Sequence, residues 1–71
     1  MEILILKEAI FNLFNENFGM SFSLYSILKR FNAKTKKDIE DVYIVLSSLS
    51  HLGDIIEIPH EEEVYFSLAM N

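Results

Sequence analysis

The chain has 71 residues, which fits a single domain, 1–71, and leaves no room for a second one. Half of the residues are apolar (51%), and with only two Gly and one Pro the composition excludes a disordered chain. The absence of Cys excludes disulfides and thiolate chemistry and fits a reducing, cytoplasmic setting, while the net charge of −5 counts against a nucleic-acid binder. No apolar run approaches the roughly 20 residues that a membrane span needs, so we expect no membrane association.

The first predicted element is an amphipathic helix over about residues 2–18. Its apolar side chains recur at three- and four-residue spacing and therefore share one face: Ile3, Leu6, Ile10, Leu13 and Phe14. Gly19 is placed to end this helix, because glycine readily adopts the left-handed conformation found after helix C-termini.

Three apolar residues of this helix lie outside its main stripe. Leu4 and Phe11 stack on one flank, and Ile5 points almost opposite the stripe. Single exposed hydrophobic residues are common and need no function. We favour the alternative, in which these three side chains form the seam of a homodimer or a groove for a partner protein.

Two further helices are predicted behind N-capping hydroxyl groups. Residues 20–22 are long enough only for a strand stub, and the apolar spacing from Leu24 to Phe31 then predicts a second helix with Ser23 as its N-cap. Thr35 and Asp38 match the capping-box pattern at the start of a third helix, which residue 53, a glycine, ends.

The C-terminal part of the chain predicts a β-hairpin. Two β-rich runs, DIIEI from residue 54 and EVYFSL from residue 63, flank the turn-like segment PHEE. The expected fold class is therefore α+β, with three helices, a strand stub and a C-terminal two-stranded β-hairpin. Its core is predicted to contain Leu6, Ile10, Phe14, Leu28, Ile39, Leu46, Leu49, Ile56 and Phe66.

The segments GMSFSLYSILKRF, TKKDIEDVYIVLSSLSHLGDIIEI and VYFSL follow one another as strand stub, second helix, third helix and returning strands. In this order they resemble the winged-helix family over essentially the whole chain, and the hairpin then corresponds to the wing. Within that family the chain looks most like protein-docking members such as the C-terminal domain of the middle subunit of replication protein A. The similar features are a third helix without basic residues on its body and an acidic wing.

In DNA-binding members of this family the third helix enters the major groove, so its outward face is informative about the partner. At 100° per residue its buried side is predicted to hold Ile39, Val42, Tyr43, Leu46, Leu49 and Ser50. The opposite face is predicted to hold Lys37, Glu40, Ile44, Ser47, Ser48 and His51. Beyond its first turn this face offers no Arg, Lys, Asn or Gln to base edges. We therefore expect Ile44, Ser47 and His51 to bind a protein partner.

The wing is expected to carry Glu61, Glu62 and Glu63, whose carboxylates would be repelled by DNA phosphates. We include these three residues in the partner-binding surface. A charged hairpin tip also protects an edge strand from aggregation, and this simpler interpretation stays open beside the first.

Five of the six basic residues fall within nine positions: Lys29, Arg30, Lys34, Lys36 and Lys37. The simplest interpretation is a solvated turn whose cations balance the nearby carboxylates of Asp38, Glu40 and Asp41. A second is phosphate contact, because the unpaired amides at the start of the third helix already favour an anion. A third is docking to an acidic partner or to the acidic wing of a second copy.

Catalysis has little support in the sequence. The two histidines, His51 and His60, have no neighbouring Ser or Asp pattern that would activate a nucleophile, and there is no Gly-rich phosphate loop. The contiguous carboxylates after His60 lack a rigid metal-ligand geometry. We expect no enzymatic activity, no cofactor, no metal site and no small-molecule substrate.

Two functional hypotheses follow. The first is a non-enzymatic protein-interaction module, an adaptor or modulator that docks through apolar positions and an acidic wing and self-associates as a homodimer. The second is a small dimeric DNA-binding regulator of transcription that contacts phosphates with the basic turn 29–37. Under the first hypothesis we expect duplex DNA to bind only weakly.

Overall fold

The computed structural model of the chain describes residues 2–69. Its elements are α1 (Ile3–Glu16), β1 (Ser21–Ser23), α2 (Leu24–Arg30), α3 (Lys36–His51), β2 (Ile55–His60) and β3 (Glu63–Leu68). The three strands form one antiparallel sheet in the order β1-β3-β2. The expected α+β class, with three helices, a short strand and a C-terminal hairpin, is confirmed.

The sheet joins the short strand to the hairpin through β3. β1 pairs with β3 from Ser21↔Ser67 to Ser23↔Tyr65, and β2 pairs with β3 from Ile55↔Leu68 to His60↔Glu63. The strand stub expected at residues 20–22 therefore lies one residue later, and it forms the third strand of the sheet.

The N-caps of the second and third helices are confirmed. The Ser23 hydroxyl accepts a hydrogen bond from the amide of Ser26 at 3.1 Å, and the Thr35 hydroxyl accepts one from the amide of Asp38 at 3.1 Å. Each bond satisfies one of the amides that the first turn of a helix leaves without a helical partner. These local signals fix where α2 and α3 begin.

The end of α3 is also as expected. Gly53 has a φ of +84° and its amide donates to the carbonyl of Ser50 at 3.1 Å. The amide of Asp54 donates to the carbonyl of Leu49 at 2.9 Å, which completes the two-bond cap that glycine favours.

The first two helices end on asparagine-containing turns that the sequence analysis did not identify. α1 ends at Glu16, two residues early, where the Asn17 side chain donates to the carbonyl of Leu13 at 2.8 Å. After α2, Asn32 adopts a φ of +55°, and the amide of Ala33 donates to the carbonyl of residue 28 at 2.9 Å. Asparagine tolerates this left-handed conformation better than most residues.

One apolar core joins all three helices to the inner face of the sheet. It contains Leu6, Ile10, Phe14, Phe22, Ile27, Val42, Val45, Leu46, Leu49, Ile55 and Phe66. Most of the predicted core is confirmed, and Leu28 packs against it while staying partly exposed. The rings of Phe14 and Phe22 meet edge to face, with centroids 5.7 Å apart, and tie α1 to β1.

Two core predictions are wrong. Ile56 is 47% exposed, and Ile55 takes its place in the core at 1% exposure. Adjacent strand residues point to opposite faces, so only one of the two can be buried, and the pairing of Ile56 with Ser67 puts it on the outer face. Ile39 is exposed on one flank of α3.

The predicted orientation of α3 is also partly wrong. Its buried residues are Asp41, Val42, Val45, Leu46 and Leu49, whereas Tyr43 is exposed and Ser50 is half-buried. With 100° between successive residues, the centre of the observed buried face is rotated by about 70° around the helix axis from the centre of the predicted one. The burial of Asp41 is the unexpected part, because sequence reasoning placed it with the solvated carboxylates that balance the basic turn.

The hairpin turn is shorter than the predicted segment PHEE. Pro59 and His60 continue β2, paired with Val64 and Glu63, so only Glu61 and residue 62 form the turn. Glu61 has a φ of +56°, a conformation that costs a residue with a Cβ atom about 1–2 kcal/mol relative to the right-handed region. His60 is thus a strand residue and not a turn residue.

Candidate functional site

The outward face of α3 carries three of the residues expected to bind a partner. Ile44 is 55% exposed, and Ser47 and His51 are exposed on the following turns of the same face. Their outward orientation is as the periodicity predicted. Their role in binding stays a prediction.

A groove of about 260 Å³ separates this face of α3 from the hairpin. Its lining residues are Tyr43, Leu46, Ser47, Ser50 and His51 from α3, with Glu57 and Phe66 from the sheet. The fold thus brings Ser47 and His51 together beside the hairpin. Tyr43, expected on the buried side of α3, instead offers an aromatic ring to this groove.

Glu57 is the acidic residue of the groove, and the sequence analysis missed it. It lies on the same face of β2 as the core residue Ile55, because residues two apart in a strand share a face. It is nevertheless exposed. An acidic residue in phase with buried strand positions is the signal that could have identified it.

Beyond the first turn of α3, which holds Lys36 and Lys37, the surface as far as the hairpin tip carries no fixed positive charge. No Lys or Arg follows Lys37 in the sequence, whereas Glu40 is exposed one turn before Ile44 and Glu57 lines the groove. Carboxylates without interspersed cations repel phosphate and attract basic groups. The surface therefore combines apolar side chains with negative charge.

The three tip carboxylates stand apart from this groove. Glu61, Glu62 and Glu63 are exposed and line a separate depression at the end of the hairpin. Glu61 lies four residues beyond Glu57, which corresponds to about 13 Å along a strand. The residues predicted to form one partner-binding surface thus lie in two neighbouring places and not in one groove.

At the hairpin tip Glu63 interacts with Tyr65 on the outer face of the sheet. The Tyr65 hydroxyl donates to Glu63 Oε2 at 3.2 Å, and the His60 ring meets the Tyr65 ring edge to face at 6.1 Å between centroids. The negative charge of Glu63, followed by this hydrogen bond, raises the pKa of Tyr65 above its ordinary value of 10.0.

The five clustered cations point to different places. The Arg30 guanidinium lies 5.2 Å from the centroid of the Phe22 ring, a cation–π contact against β1. Lys37 Nζ lies 2.9 Å from Asp41 Oδ1, and this hydrogen bond, with the charge of Asp41, raises the pKa of Lys37.

The remaining cations of the cluster, Lys29, Lys34 and Lys36, are exposed. Lys29 and Lys34 line a groove of about 370 Å³ with apolar side chains of α2 and α3. Lys36 lies in the first turn of α3 and outside the lining of that groove. Two of these three exposed lysines therefore share one groove.

The apolar residues of α1 expected in a dimer seam are partly brought together. Leu4, which is 73% exposed, and the half-buried Phe11 line a groove of about 240 Å³ with Leu49 and Asp54. Ile5 is exposed but lies outside this lining. The sequence analysis did not single out further exposed apolar side chains, namely Phe18, Met20 and Leu52.

None of the helices within residues 2–69 has the length and apolar character needed to cross a membrane. The same part of the chain holds no group of three or more His, Asp or Glu side chains placed to bind a metal ion. Comparison of the chain with protein-family models, curated proteins and solved structures finds no match in any of the three.

Proposed function

We propose that the chain is a non-enzymatic protein-docking module of the winged-helix type, an adaptor or modulator that binds a partner through α3 and the hairpin. The order of three helices, the short strand paired with β3 and the hairpin that follows α3 support the winged-helix assignment. In this proposal the hairpin is the wing and α3 is the helix that faces the partner.

The observation that carries the proposal is the chemistry of the groove beside α3. Within the groove, Tyr43 provides aromatic contact area and Glu57 provides negative charge. Ile44 and Glu40 add apolar area and negative charge on the adjoining outward face of α3. Interfaces are enriched in aromatic anchors with a polar rim, which this groove offers. A partner segment with apolar residues and a basic edge would complement it, and the carboxylates of the wing tip would extend the attraction.

Duplex DNA complements the same surface poorly. An α3 docked in the major groove would carry Glu40 and Glu57 towards phosphates, and it would offer Ile44 where base readers carry Arg, Lys, Asn or Gln. Ser47 and His51 are the polar exceptions on this face. Because no Arg or Lys follows the first turn of α3, these two side chains have no cation beside them on this face, and DNA docking by it is unfavourable.

A binding assay with a synthetic peptide tests the proposal. The probe is a fluorescein-labelled 16-residue amphipathic helix with Leu on one face and Lys along its edges, followed by fluorescence anisotropy. Ile44→Ser is expected to weaken binding about tenfold, because it removes roughly 1.5 kcal/mol of apolar burial. Ile56→Ser, at a similarly exposed isoleucine on the face of β2 opposite to Glu57, is the matched control and is expected to leave the affinity unchanged.

A double charge reversal at the wing tests the electrostatic part. Glu61→Lys with Glu62→Lys is expected to weaken binding of the basic peptide and to strengthen any binding of duplex DNA. Equal peptide affinity in wild type, Ile44→Ser and the wing variant, all folded by circular dichroism, would contradict the proposal.

The second candidate function is a dimeric DNA-binding regulator that contacts phosphates with the basic turn. The exposure of Lys29, Lys34 and Lys36 beside the start of α3 favours it. Three phosphate contacts would give a salt slope of about 2.7, or a loss of about 40-fold in affinity between 50 and 200 mM salt. Its test uses these three lysines and not Lys37, because replacing Lys37 would also leave the buried carboxylate of Asp41 without its ion-pair partner.

A further inference from the structure

A second groove lies at the other end of α3, where α2, the following turn and the first turns of α3 meet. Its volume is about 370 Å³, and its lining residues are Tyr25, Leu28, Lys29, Asn32, Ala33, Lys34 and Ile39. None of these residues belongs to the groove between α3 and the hairpin. The two grooves are therefore separate candidate sites.

The interior of this second groove is apolar. Leu28 and Ala33 are half-buried and pack on the core, while Ile39 is exposed and Tyr25 is 67% exposed. A tyrosine with most of its surface in water beside an apolar depression is the kind of residue that dominates binding energy at protein interfaces. The groove thus offers an aromatic anchor and an aliphatic floor.

The cations of the groove are two exposed lysines. Lys29 comes from the last turn of α2 and Lys34 from the turn that follows it. Lysine covers apolar surface with its methylene stem while keeping its ammonium group in water, so both residues can serve as a positive edge to an apolar site. Among residues 2–69 neither lysine forms an ion pair, and the ion pair present there joins Lys37 to Asp41.

The backbone holds this groove in shape. Asn32 adopts a φ of +55°, and its amide donates to the carbonyl of Lys29 at 3.2 Å. The amide of Ala33 donates to the carbonyl of Leu28 at 2.9 Å. These bonds fix the turn between Lys29 and Lys34 before any partner arrives, which lowers the entropic cost of binding.

We propose that this groove binds an acidic amphipathic segment of a partner protein, with its apolar residues against Tyr25 and Ile39 and its carboxylates beside Lys29 and Lys34. The domain would then carry two docking sites of opposite charge, the basic one here and the acidic one beside the hairpin. This arrangement fits an adaptor that holds two different protein segments at once.

The chemistry of the groove favours this occupant over two others. A DNA backbone would satisfy the lysines but leave the apolar floor uncovered. The acidic hairpin tip of a second copy has carboxylates, but its nearest exposed large apolar side chain, Ile58, lies on the outer face of β2 three residues before Glu61 and not among the tip carboxylates. A segment that alternates apolar and acidic residues matches both the floor and the edge.

The test uses a fluorescein-labelled 16-residue helical peptide with Leu on one face and Glu along its edges, and the same peptide with every Glu replaced by Lys. Fluorescence anisotropy with the wild-type chain is expected to show saturable binding of the acidic peptide, and Ile44→Ser, outside this groove, is expected to leave that affinity unchanged. Lys29→Glu with Lys34→Glu is expected to weaken the acidic peptide about tenfold, and Tyr25→Ser is expected to weaken it by a similar factor.

The matched control is Lys7→Glu with Lys36→Glu, which makes the same change in net charge at two lysines outside the groove lining. The general effect of net charge is measured with the basic peptide. Beyond that effect, the control is expected to change the affinity for the acidic peptide less than twofold.

Three results would overturn this proposal. In the first, the control double reversal weakens the acidic peptide as much as the groove reversal does, so that net charge alone explains binding. In the second, a 24-base-pair duplex displaces the acidic peptide, and binding of the duplex requires both lysines but is unaffected by Tyr25→Ser. The groove would then be a phosphate site. In the third, the groove reversal converts a sedimenting dimer to a monomer, which would make a second copy the occupant.

Discussion

Replacing Asp41 by Ala is expected to stabilise the fold. Asp41 is 1% exposed on the inner face of α3, and its Oδ1 atom accepts a hydrogen bond from Lys37 Nζ at 2.9 Å. Among residues 2–69 no donor reaches its other oxygen, Oδ2. A buried carboxylate with one unsatisfied oxygen has lost water without full replacement, so its removal relieves the cost.

The size of the effect follows from four contributions. An unsatisfied buried polar atom costs about 1–3 kcal/mol. Alanine also has a higher helix propensity than aspartate, by roughly 0.6 kcal/mol. The void left by the three lost atoms costs on the order of 1 kcal/mol. Loss of the hydrogen bond that the carboxylate accepts from a largely exposed donor costs about 0.5–1 kcal/mol. We therefore expect a net gain of about 1 kcal/mol in the free energy of unfolding, or a rise of roughly 4–8 °C in Tm for a domain of this size.

Urea unfolding followed by far-ultraviolet circular dichroism measures this gain. Glu40→Ala is the matched control, because Glu40 is the exposed acidic neighbour of Asp41 on the same helix, and its free energy of unfolding is expected to change by less than about 0.5 kcal/mol. Lys37→Ala alone is expected to destabilise the fold, since it leaves the buried carboxylate unpaired, and to have little effect when Asp41 is already Ala. Loss of more than about 1 kcal/mol in Asp41→Ala would refute the reasoning.

Three further predictions concern self-association, the hairpin turn and Tyr65. Sedimentation equilibrium at high micromolar concentration is expected to show a dimer. Because exposed apolar side chains of α1 form the predicted seam, Leu4→Asp with Ile5→Asp is expected to convert this dimer to a folded monomer. A monomeric wild type would contradict the prediction. Glu61→Gly is expected to raise the free energy of unfolding by about 0.5–1 kcal/mol, because glycine adopts a positive φ without the strain of a Cβ atom, whereas Glu62→Gly is expected to lower it; equal effects would argue against the assigned turn. In a chain with Tyr25→Phe and Tyr43→Phe, phenolate absorbance is expected to report a pKa for Tyr65 above 10.0 that falls when Glu63 is changed to Gln. The folded state holds the Tyr65 proton more tightly than the unfolded state, so this contribution to stability is complete below about pH 10 and is lost as the pH rises through the folded pKa; no change on Glu63→Gln would contradict the assignment.

The element order and the helix starts were predictable because their signals are local. Ser23 and Thr35 sit directly before apolar periodic segments, and each accepts a hydrogen bond from an amide three residues later. Gly53 likewise ends α3 where the sequence predicts. Asn32 carried the same kind of signal, a residue that tolerates positive φ after a helix, but it was not used.

The packing of α3 was less predictable because it depends on distant parts of the chain. Periodicity alone favoured Tyr43 as a buried aromatic residue and a solvated Asp41, and the fold reverses both. The pairing of Lys37 with Asp41 could have been expected from their four-residue spacing. The burial of the Asp41 carboxylate could not have been expected, because it depends on which residues pack over this face of α3.

The strand phase of β2 shows the same limit. Ile55 and Ile56 are chemically equivalent neighbours, and the choice between them is made by the register Ile56↔Ser67 and Glu57↔Phe66 across the hairpin. This non-local choice also decides that Glu57 lines the groove beside α3. The outward positions of Ile44, Ser47 and His51 were predictable, whereas the groove that joins two of them to the hairpin was not.

A salt titration against a generic 24-base-pair duplex tests the central claim most directly, namely that this domain docks proteins and does not read DNA. We expect weak binding, in the range of roughly 10 μM or above at physiological salt, equal for unrelated sequences and lost as salt rises. Tight, sequence-selective binding at physiological salt would show instead that the domain reads DNA, most clearly if Lys29→Ala with Lys34→Ala abolished it and Ile44→Ser left it unchanged.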